Sequence, residues 1–268
     1  MTICNHGSQY LPKDKQSHLF IDYHRGLINI CERIRAKYPK LTMQSCATGG
    51  GRANYGLMPY FDEFWVSDNT DALQRIYIQW GTSYFFPANA MAAHISAIPN
   101  WILDRNTSLK YRIDVAMSGR LGMEVQPKHM TEEEKDFCRK AIEDYKTIRP
   151  IVQLGDLYRI VSPYDKHNMA SLIYVTKDKS QAAFFWWKTE QFYADLQPRA
   201  KMAGLDPQKT YVVKELNRVD SNPLEYEGKS FSGKFLMEQG LEIPWKHSVN
   251  SDLYRSDWTS RVFFLVEE

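Results

Sequence analysis

The chain of 268 residues has only four cysteines, Cys4, Cys31, Cys46 and Cys138. They lie far apart with no C-x-x-C pair, so neither a zinc ligand set nor a disulfide framework can be read from them, and free thiols are expected. No apolar run approaches the length that crosses a bilayer, so no membrane span is expected. A charge excess is missing too: 34 lysines and arginines face 32 acidic residues. That balance gives no field to hold a polyanion, which excludes nucleic acid and an acidic membrane as expected partners and favours a neutral ligand. Internal repeats and low-complexity segments are absent. Met1 is followed by no basic n-region and apolar h-region, which on a whole chain would point to the cytoplasm.

Aromatic residues, by contrast, are plentiful: seven tryptophans and sixteen tyrosines within a 13% aromatic share. Flat rings suit the apolar faces of sugars, although large cores use them as well. The length fits one large α/β domain or two ordinary ones, and two is the working expectation.

From Ser17 to Tyr38, apolar residues recur at Phe20, Tyr23, Leu27, Ile30 and Ile34, the three-four spacing of a helix with one buried stripe. Pro39 ends it. Leu41 to Cys46 reads as a short strand entering Gly49-Gly50-Gly51. A second strand, Phe64-Trp65-Val66, ends at Ser67-Asp68-Asn69-Thr70-Asp71, and Leu73, Ile76, Tyr77 and Trp80 mark the helix behind it. Tyr111 to Met117 is a further strand candidate. Thr131 to Glu134 forms a capping box opening a helix that is expected to stop at Pro150. Alternating helices and strands need a parallel sheet, but three or four units are too few to close an eight-stranded barrel. After Pro150 the runs Leu157–Val161, Met169–Val175, Ala182–Trp187, Tyr211–Leu216, Lys234–Glu238 and Arg261–Val266 suggest an antiparallel sandwich.

The chemistry concentrates in Cys46-Ala47-Thr48-Gly49-Gly50-Gly51-Arg52 and in Phe64 to Asp71, both at strand C-terminal ends, where α/β barrels build their sites. Three glycines after a strand could cradle phosphate, but no Gly-Lys-Ser/Thr follows. They could equally be a tight turn needing positive φ. Asp68 likewise has two readings, as a cap for the helix beginning near Asp71 or as a catalytic acid. For proton donation at neutral pH it would need burial or a second carboxylate nearby.

These segments, followed by Ile78-Gln79-Trp80-Gly81-Thr82-Ser83-Tyr84 and Pro87, resemble the family 36 glycoside hydrolases, the α-galactosidases. Family members carry Cys-x-x-Gly-Gly-Gly-Arg, Trp-x-Ser-Asp-Asn-Thr-Asp and Ile-Gln-x-Gly-x-Ser in this order. Met91-Ala92-Ala93-His94, Gly119-Arg120-Leu121-Gly122 and Gly155-Asp156-Leu157-Tyr158-Arg159 agree with later family segments. The resemblance implies the C-terminal half of a (β/α)8 TIM barrel over residues 1–152, followed by an antiparallel β-sandwich over 153–268. It implies retaining hydrolysis of terminal α-D-galactosides, with an α-galactoside oligosaccharide as substrate and no cofactor or metal. Asp68 maps to the general acid/base. Cys46, Gly49 and Arg52 map to the substrate-binding turn: Cys46 lines the galactose pocket, the amide at Gly49 meets a sugar hydroxyl, and Arg52 mainly braces the loop.

Family nucleophiles sit in Lys-Trp-Asp-x-Asn, followed by a segment that Thr2-Ile3 and Gly7-Ser8 resemble. No Trp-Asp or Lys-x-Asp-x-Asn occurs before Gly7, so the nucleophile is expected just upstream of Met1 and this chain alone is expected to be inactive. A missing true N-terminus leaves the cytoplasm and the periplasm both open. The departures Ala47-Thr48 and Ala53-Asn54-Tyr55 from the frequent family residues put the sugar preference in question. α-N-acetylgalactosaminidase specificity and a non-catalytic galactoside-binding half-barrel are therefore carried as alternatives. A half-barrel exposes strand edges and is expected to form oligomers unless another chain supplies the rest.

Elsewhere, His18, Asp22 and His24 do not share one helix face and are expected at solvent rather than on a metal. His94 stands between a pocket-edge and a buried hydrogen-bonded role. Trp186 and Trp187 are expected as sheet core plus one exposed ring.

Overall fold

The computed structural model describes residues 7–165, 167–190, 199–219, 223–243 and 258–268. It divides into two compact units, residues 1–68 and 69–268.

In the first unit, helix α1 (Leu19–Lys37) precedes strands β1 (Gln44–Ser45) and β2 (Glu63–Trp65), which pair in parallel with Ser45 opposite Phe64. The segments that enter the two strands are locked by Arg35. Its guanidinium donates to the carbonyls of Tyr60 and Leu41 and pairs with Asp62 at 2.8 Å. Asp62 in turn accepts from the Met43 amide at 2.7 Å. The expected buried stripe of α1 is only partly covered by the described residues: Cys31 is buried, whereas Phe20, Tyr23 and Ile30 are exposed.

In the second unit, α2 (Ala72–Thr82), β3 (Met91–Ser96), α3 (Leu109–Ala116), β4 (Arg120–Glu124) and α4 (Glu132–Leu154) follow one another, and β3 pairs in parallel with β4. Six antiparallel strands come next: β5 (Asp156–Val161), β6 (Met169–Val175), β7 (Gln181–Lys188), β8 (Thr210–Leu216), β9 (Ser230–Ser232) and β10 (Ser260–Glu267). Their order is β5-β6-β7-β10-β8-β9, with the short helix α5 (Gly233–Glu238) after β9. Parallel strands with intervening helices followed by an antiparallel sheet are the expected partial barrel and β domain. The central strands are buried on both faces. Ala183, Phe185 and Trp187 of β7 join a cluster with Ile76, Trp80 and Tyr111, while Phe184 and Trp186 join one with Val213 and Leu236.

Four local expectations are corrected. Tyr111 to Ala116 is helical, within α3, and Met117 is its C-cap: Ser108 caps the other end by accepting from the Tyr111 amide, and every residue from Lys110 to Ala116 is buried. A helix buried all round shows no amphipathic period, so its Val and Ile imitate a strand. Lys234–Glu238 lies in α5, capped by Ser232. Helix α4 does not stop at Pro150 but runs to Leu154, because Ile148, Ile151 and Val152 are buried and their packing outweighs the one hydrogen bond that proline removes. Trp186 and Trp187 are both 2% exposed, so neither ring is free. The capping box at Thr131 and Glu134 forms as expected.

Within this unit the most stringent polar arrangement surrounds Asp114 of α3, which is fully buried. Lys110 pairs with it at 2.6 Å, the Ser260 hydroxyl donates to it at 2.7 Å and the Asn217 side-chain amide at 2.5 Å. Nearby, Arg261 donates twice to the Glu215 carboxylate, whose pKa burial pushes up while Arg261 opposes the shift. Replacing one member of a buried pair strands the other charge, which costs about 3–5 kcal/mol. Asp114→Ala is therefore expected to lose about that much stability in urea unfolding, and a loss below about 1 kcal/mol would show that Asp114 does not hold α3 to β10.

Candidate functional site

The candidate site is built on the first unit, where the chain leaves β1 at Cys46 and returns over the end of β2. Thr48 and Gly49 both take left-handed backbone, with φ 51° and 72°. The turn closes through the Ala47 amide, which donates to the Gly49 carbonyl at 3.0 Å, and the Ala53 amide, which donates to that of Gly50 at 2.9 Å. Left-handed φ explains glycine at position 49 only in part. A Cβ there would stand 2.7 Å from the Ser67 Cα and 3.1 Å from the Asp68 amide nitrogen, and one at Gly51 would stand 2.6 Å from the Ala47 carbonyl oxygen. The glycine turn thus lies against the backbone of the strand end that carries Asp68, and no side chain fits between them.

Asp68 itself is half-buried. One carboxylate oxygen accepts from the indole N–H of Trp65 at 3.2 Å, and Trp65 is buried at the end of β2. Among the described residues, the second oxygen has no protein donor. The capping reading of Asp68 is overturned, because Asp71 fills that role: its side chain accepts from the Gln74 amide at 2.9 Å and pairs with Arg105 at 3.1 Å. Asn69 serves the turn before it, accepting from the Asp71 amide, and Thr70 accepts from Asn100. Each of the other polar residues after Ser67 therefore has local work, and Asp68 is left aimed by an indole.

Cys46 is an exposed free thiol, and Cys31 and Cys138 are free as well, both with pKa raised by burial; Cys4 lies outside the described residues. Arg52 is half-buried, with its Nη1 at 3.5 Å from the Cys46 carbonyl oxygen and its guanidinium 5.5 Å from the centre of the Tyr23 ring. Both contacts suit a brace. Asn54 supports the next stretch, accepting from the Leu57 amide and donating to the Arg52 carbonyl. Asp68, Cys46, Gly49 and Arg52 thus share one strand-end turn system. His94, on β3, is half-buried opposite Gly122, where a Cβ would meet its ring at 2.1 Å. His18, Asp22 and His24 form no metal-binding group, nor does any His, Cys, Asp or Glu cluster among the described residues. No helix among them is long and apolar enough to cross a membrane.

Sequence reasoning missed Trp65 as the partner of Asp68. The signal was present in the Trp-x-x-Asp spacing, which at a strand end lets an indole reach the following loop. It also missed Tyr23 and His24, which face the glycine turn from α1. Since Gly26 sits in α1 with open space where a methyl group would stand and Gly49 does not, opposite responses to alanine are expected. Gly26→Ala should stabilise by up to about 1 kcal/mol and Gly49→Ala should destabilise by about 1–3 kcal/mol in thermal or urea unfolding, and equal effects would contradict the close approach.

Comparison with known proteins identifies the family. The family described as Melibiase matches residues 1–155, and the Glycosyl hydrolase family 36 C-terminal domain matches 169–265. Probable alpha-galactosidase C of Aspergillus terreus is 37% identical over 248 residues, 92% of this chain and 31% of that protein. The crystal structure of the alpha-galactosidase from Lactobacillus brevis aligns with a TM-score of 0.86 at 33% identity, covering 97% of this chain and 34% of that one. A crystal structure of the GH36 alpha-galactosidase AgaA variant from Geobacillus stearothermophilus in complex with raffinose aligns with a TM-score of 0.84 at 32% identity, covering 98% and 34%. The chain spans about a third of the length of these relatives. Matched along both its parallel and its antiparallel part, it belongs to the family 36 glycoside hydrolases.

Proposed function

We propose that this chain supplies the general acid/base and part of the galactose pocket of a retaining α-galactosidase. In this proposal residues 1–152 form the partial barrel and 153–268 the C-terminal β domain. The observation that carries it is the carboxylate of Asp68, held by the Trp65 indole on one oxygen and released from helix capping by Asp71. Retaining hydrolysis uses two carboxyl groups: one attacks the anomeric carbon while the other protonates the leaving oxygen and later takes a proton from water. Asp68 has the second role. Its free oxygen would donate to the glycosidic oxygen in the first step and accept from the incoming water in the second.

The exposed Cys46 and the bare backbone of Gly49 would meet the galactose, and Arg52 would hold their turn in place through its contacts to the Cys46 carbonyl and Tyr23. The nucleophile is assigned to sequence outside these 268 residues, since no Lys-x-Asp-x-Asn segment precedes Gly7. The raffinose complex of AgaA favours an α-galactoside oligosaccharide as substrate.

Two outcomes are expected. In the protein that brings both carboxylates together, Asp68→Ala should lower turnover of α-galactosides with a sugar leaving group by about 10³-fold, and on an aryl α-galactoside with a good leaving group azide should speed turnover while yielding α-galactosyl azide. The retained configuration marks loss of the acid/base, whereas the β-azide would identify Asp68 as the nucleophile, and turnover within a few-fold of wild type would remove it from the chemistry. Separately, the 268 residues alone should hydrolyse no aryl α-galactoside; measurable, Asp68-dependent hydrolysis would refute the assignment of the nucleophile elsewhere.

A further inference from the structure

The carboxyl group of an aspartate turns about a bond whose torsion is broad and nearly two-fold, so nothing in the residue itself decides which of its two oxygens meets a substrate. At Asp68 that choice is removed. Its backbone is set by the glycine turn: a Cβ at Gly50 would stand 3.1 Å from the Val66 carbonyl oxygen and one at Gly49 would stand 3.1 Å from the Asp68 amide nitrogen. Its side chain is set by Trp65, whose indole N–H donates to Oδ1 at 3.2 Å. Trp65 is held in turn at the end of β2, where it is 9% exposed and its neighbour Phe64 is 2% exposed. Successive side chains of a strand point to opposite faces, so these two rings bury both sides of the strand end.

Packing alone would need no polar atom at position 65. The indole supplies one donor and no acceptor. With that donor on Oδ1, the carboxyl proton belongs on Oδ2. Protonated there, Asp68 keeps Oδ1 as a carbonyl oxygen that accepts from Trp65, whereas a proton on Oδ1 would weaken that oxygen as an acceptor and cost the buried indole its partner. Among the described residues, Oδ2 has no protein donor to compete with a substrate.

We infer that Trp65 is a positioning residue for the proton transfers of Asp68, selecting Oδ2 as the oxygen that carries the proton. The inference rests on the reading of Asp68 as the acid/base and adds what fixes its reactive oxygen. In the first step the Oδ2 proton passes to the glycosidic oxygen, which takes the electron pair of its bond to the anomeric carbon while the second carboxylate, assigned above to sequence outside these residues, forms the new bond. In the second step Oδ2 takes a proton from the water whose oxygen bonds to that carbon as the carboxylate departs. Oδ1 stays on the indole through both steps, so the side chain does not turn between them.

The test removes the N–H and keeps a ring, in the protein that brings both carboxylates together. Trp65→Phe does so with some loss of packing; β-(3-benzothienyl)alanine at position 65, with sulfur in place of the N–H, does so at nearly constant shape. Each should lower kcat/KM for melibiose by about ten-fold or more, through kcat, while kcat/KM for 2,4-dinitrophenyl α-galactoside stays within about three-fold, because so acidic a phenol leaves without a proton. The ratio of the two rates on one preparation does not depend on how much of it is folded. In an Asp68→Ala background neither replacement should change that ratio further. Equal losses on both substrates, or a further change without Asp68, would overturn the positioning role. If Asp68→Ala alone leaves the ratio unchanged, the acid/base reading fails and the inference with it; a ratio that falls in Asp68→Ala but in neither Trp65 replacement overturns the positioning role alone.

Discussion

The contact on which the site depends is between two pieces of main chain. The turn at Thr48 to Gly51 lies so close to Ser67 and Asp68 that even a methyl group at Gly49 would enter the van der Waals space of the Ser67 Cα. This closeness sets the position of the strand end, and with it the position of the carboxylate, without any flexible side chain as intermediary. The Cys46 thiol stays exposed at the start of the turn. Glycine costs conformational entropy, but a Cβ at Gly49 would meet the Ser67 backbone and one at Gly51 the Ala47 carbonyl oxygen.

The second element is a division of labour among neighbouring polar residues. A row of Ser, Asp, Asn, Thr and Asp before a helix would ordinarily satisfy the first turn's free amides. Here Asp71 does so, with Arg105 balancing its charge, while Asn69 and Thr70 settle the turn and a neighbouring loop. Asp68 is thereby freed from capping, and the Trp65 indole holds one of its oxygens. An indole can only donate and here donates to one carboxylate oxygen, so the other oxygen keeps its acceptor capacity.

Much of the fold and the site is legible in the sequence, and the failures have physical causes. The glycine turn, the Asp68 segment, the capping box at Thr131 and the strands β5 to β8 and β10 stand where periodicity and motif put them. Helix α3 imitates a strand because burial on every side removes the helical period, leaving Tyr111, Ile113 and Val115 to look like alternation. Pro150 is a weaker stop than its chemistry suggests, since buried Ile148 and Ile151 hold the helix through it. The Trp65 contact is not legible because it depends on the path of the loop after β2. The approach of Tyr23 to the glycine turn depends on how α1 meets a turn more than twenty residues away, a distance over which local patterns carry no information.

Leaving-group dependence tests the role of Asp68 most directly. An acid/base is needed to expel a sugar but not a strongly acidic phenol, so Asp68→Ala should cut galactosylation by melibiose about 10³-fold while leaving galactosylation by 2,4-dinitrophenyl α-galactoside within about ten-fold of wild type. Equal losses on both substrates would contradict the account, because they would mean that Asp68 acts on the sugar or on the fold rather than on the departing oxygen.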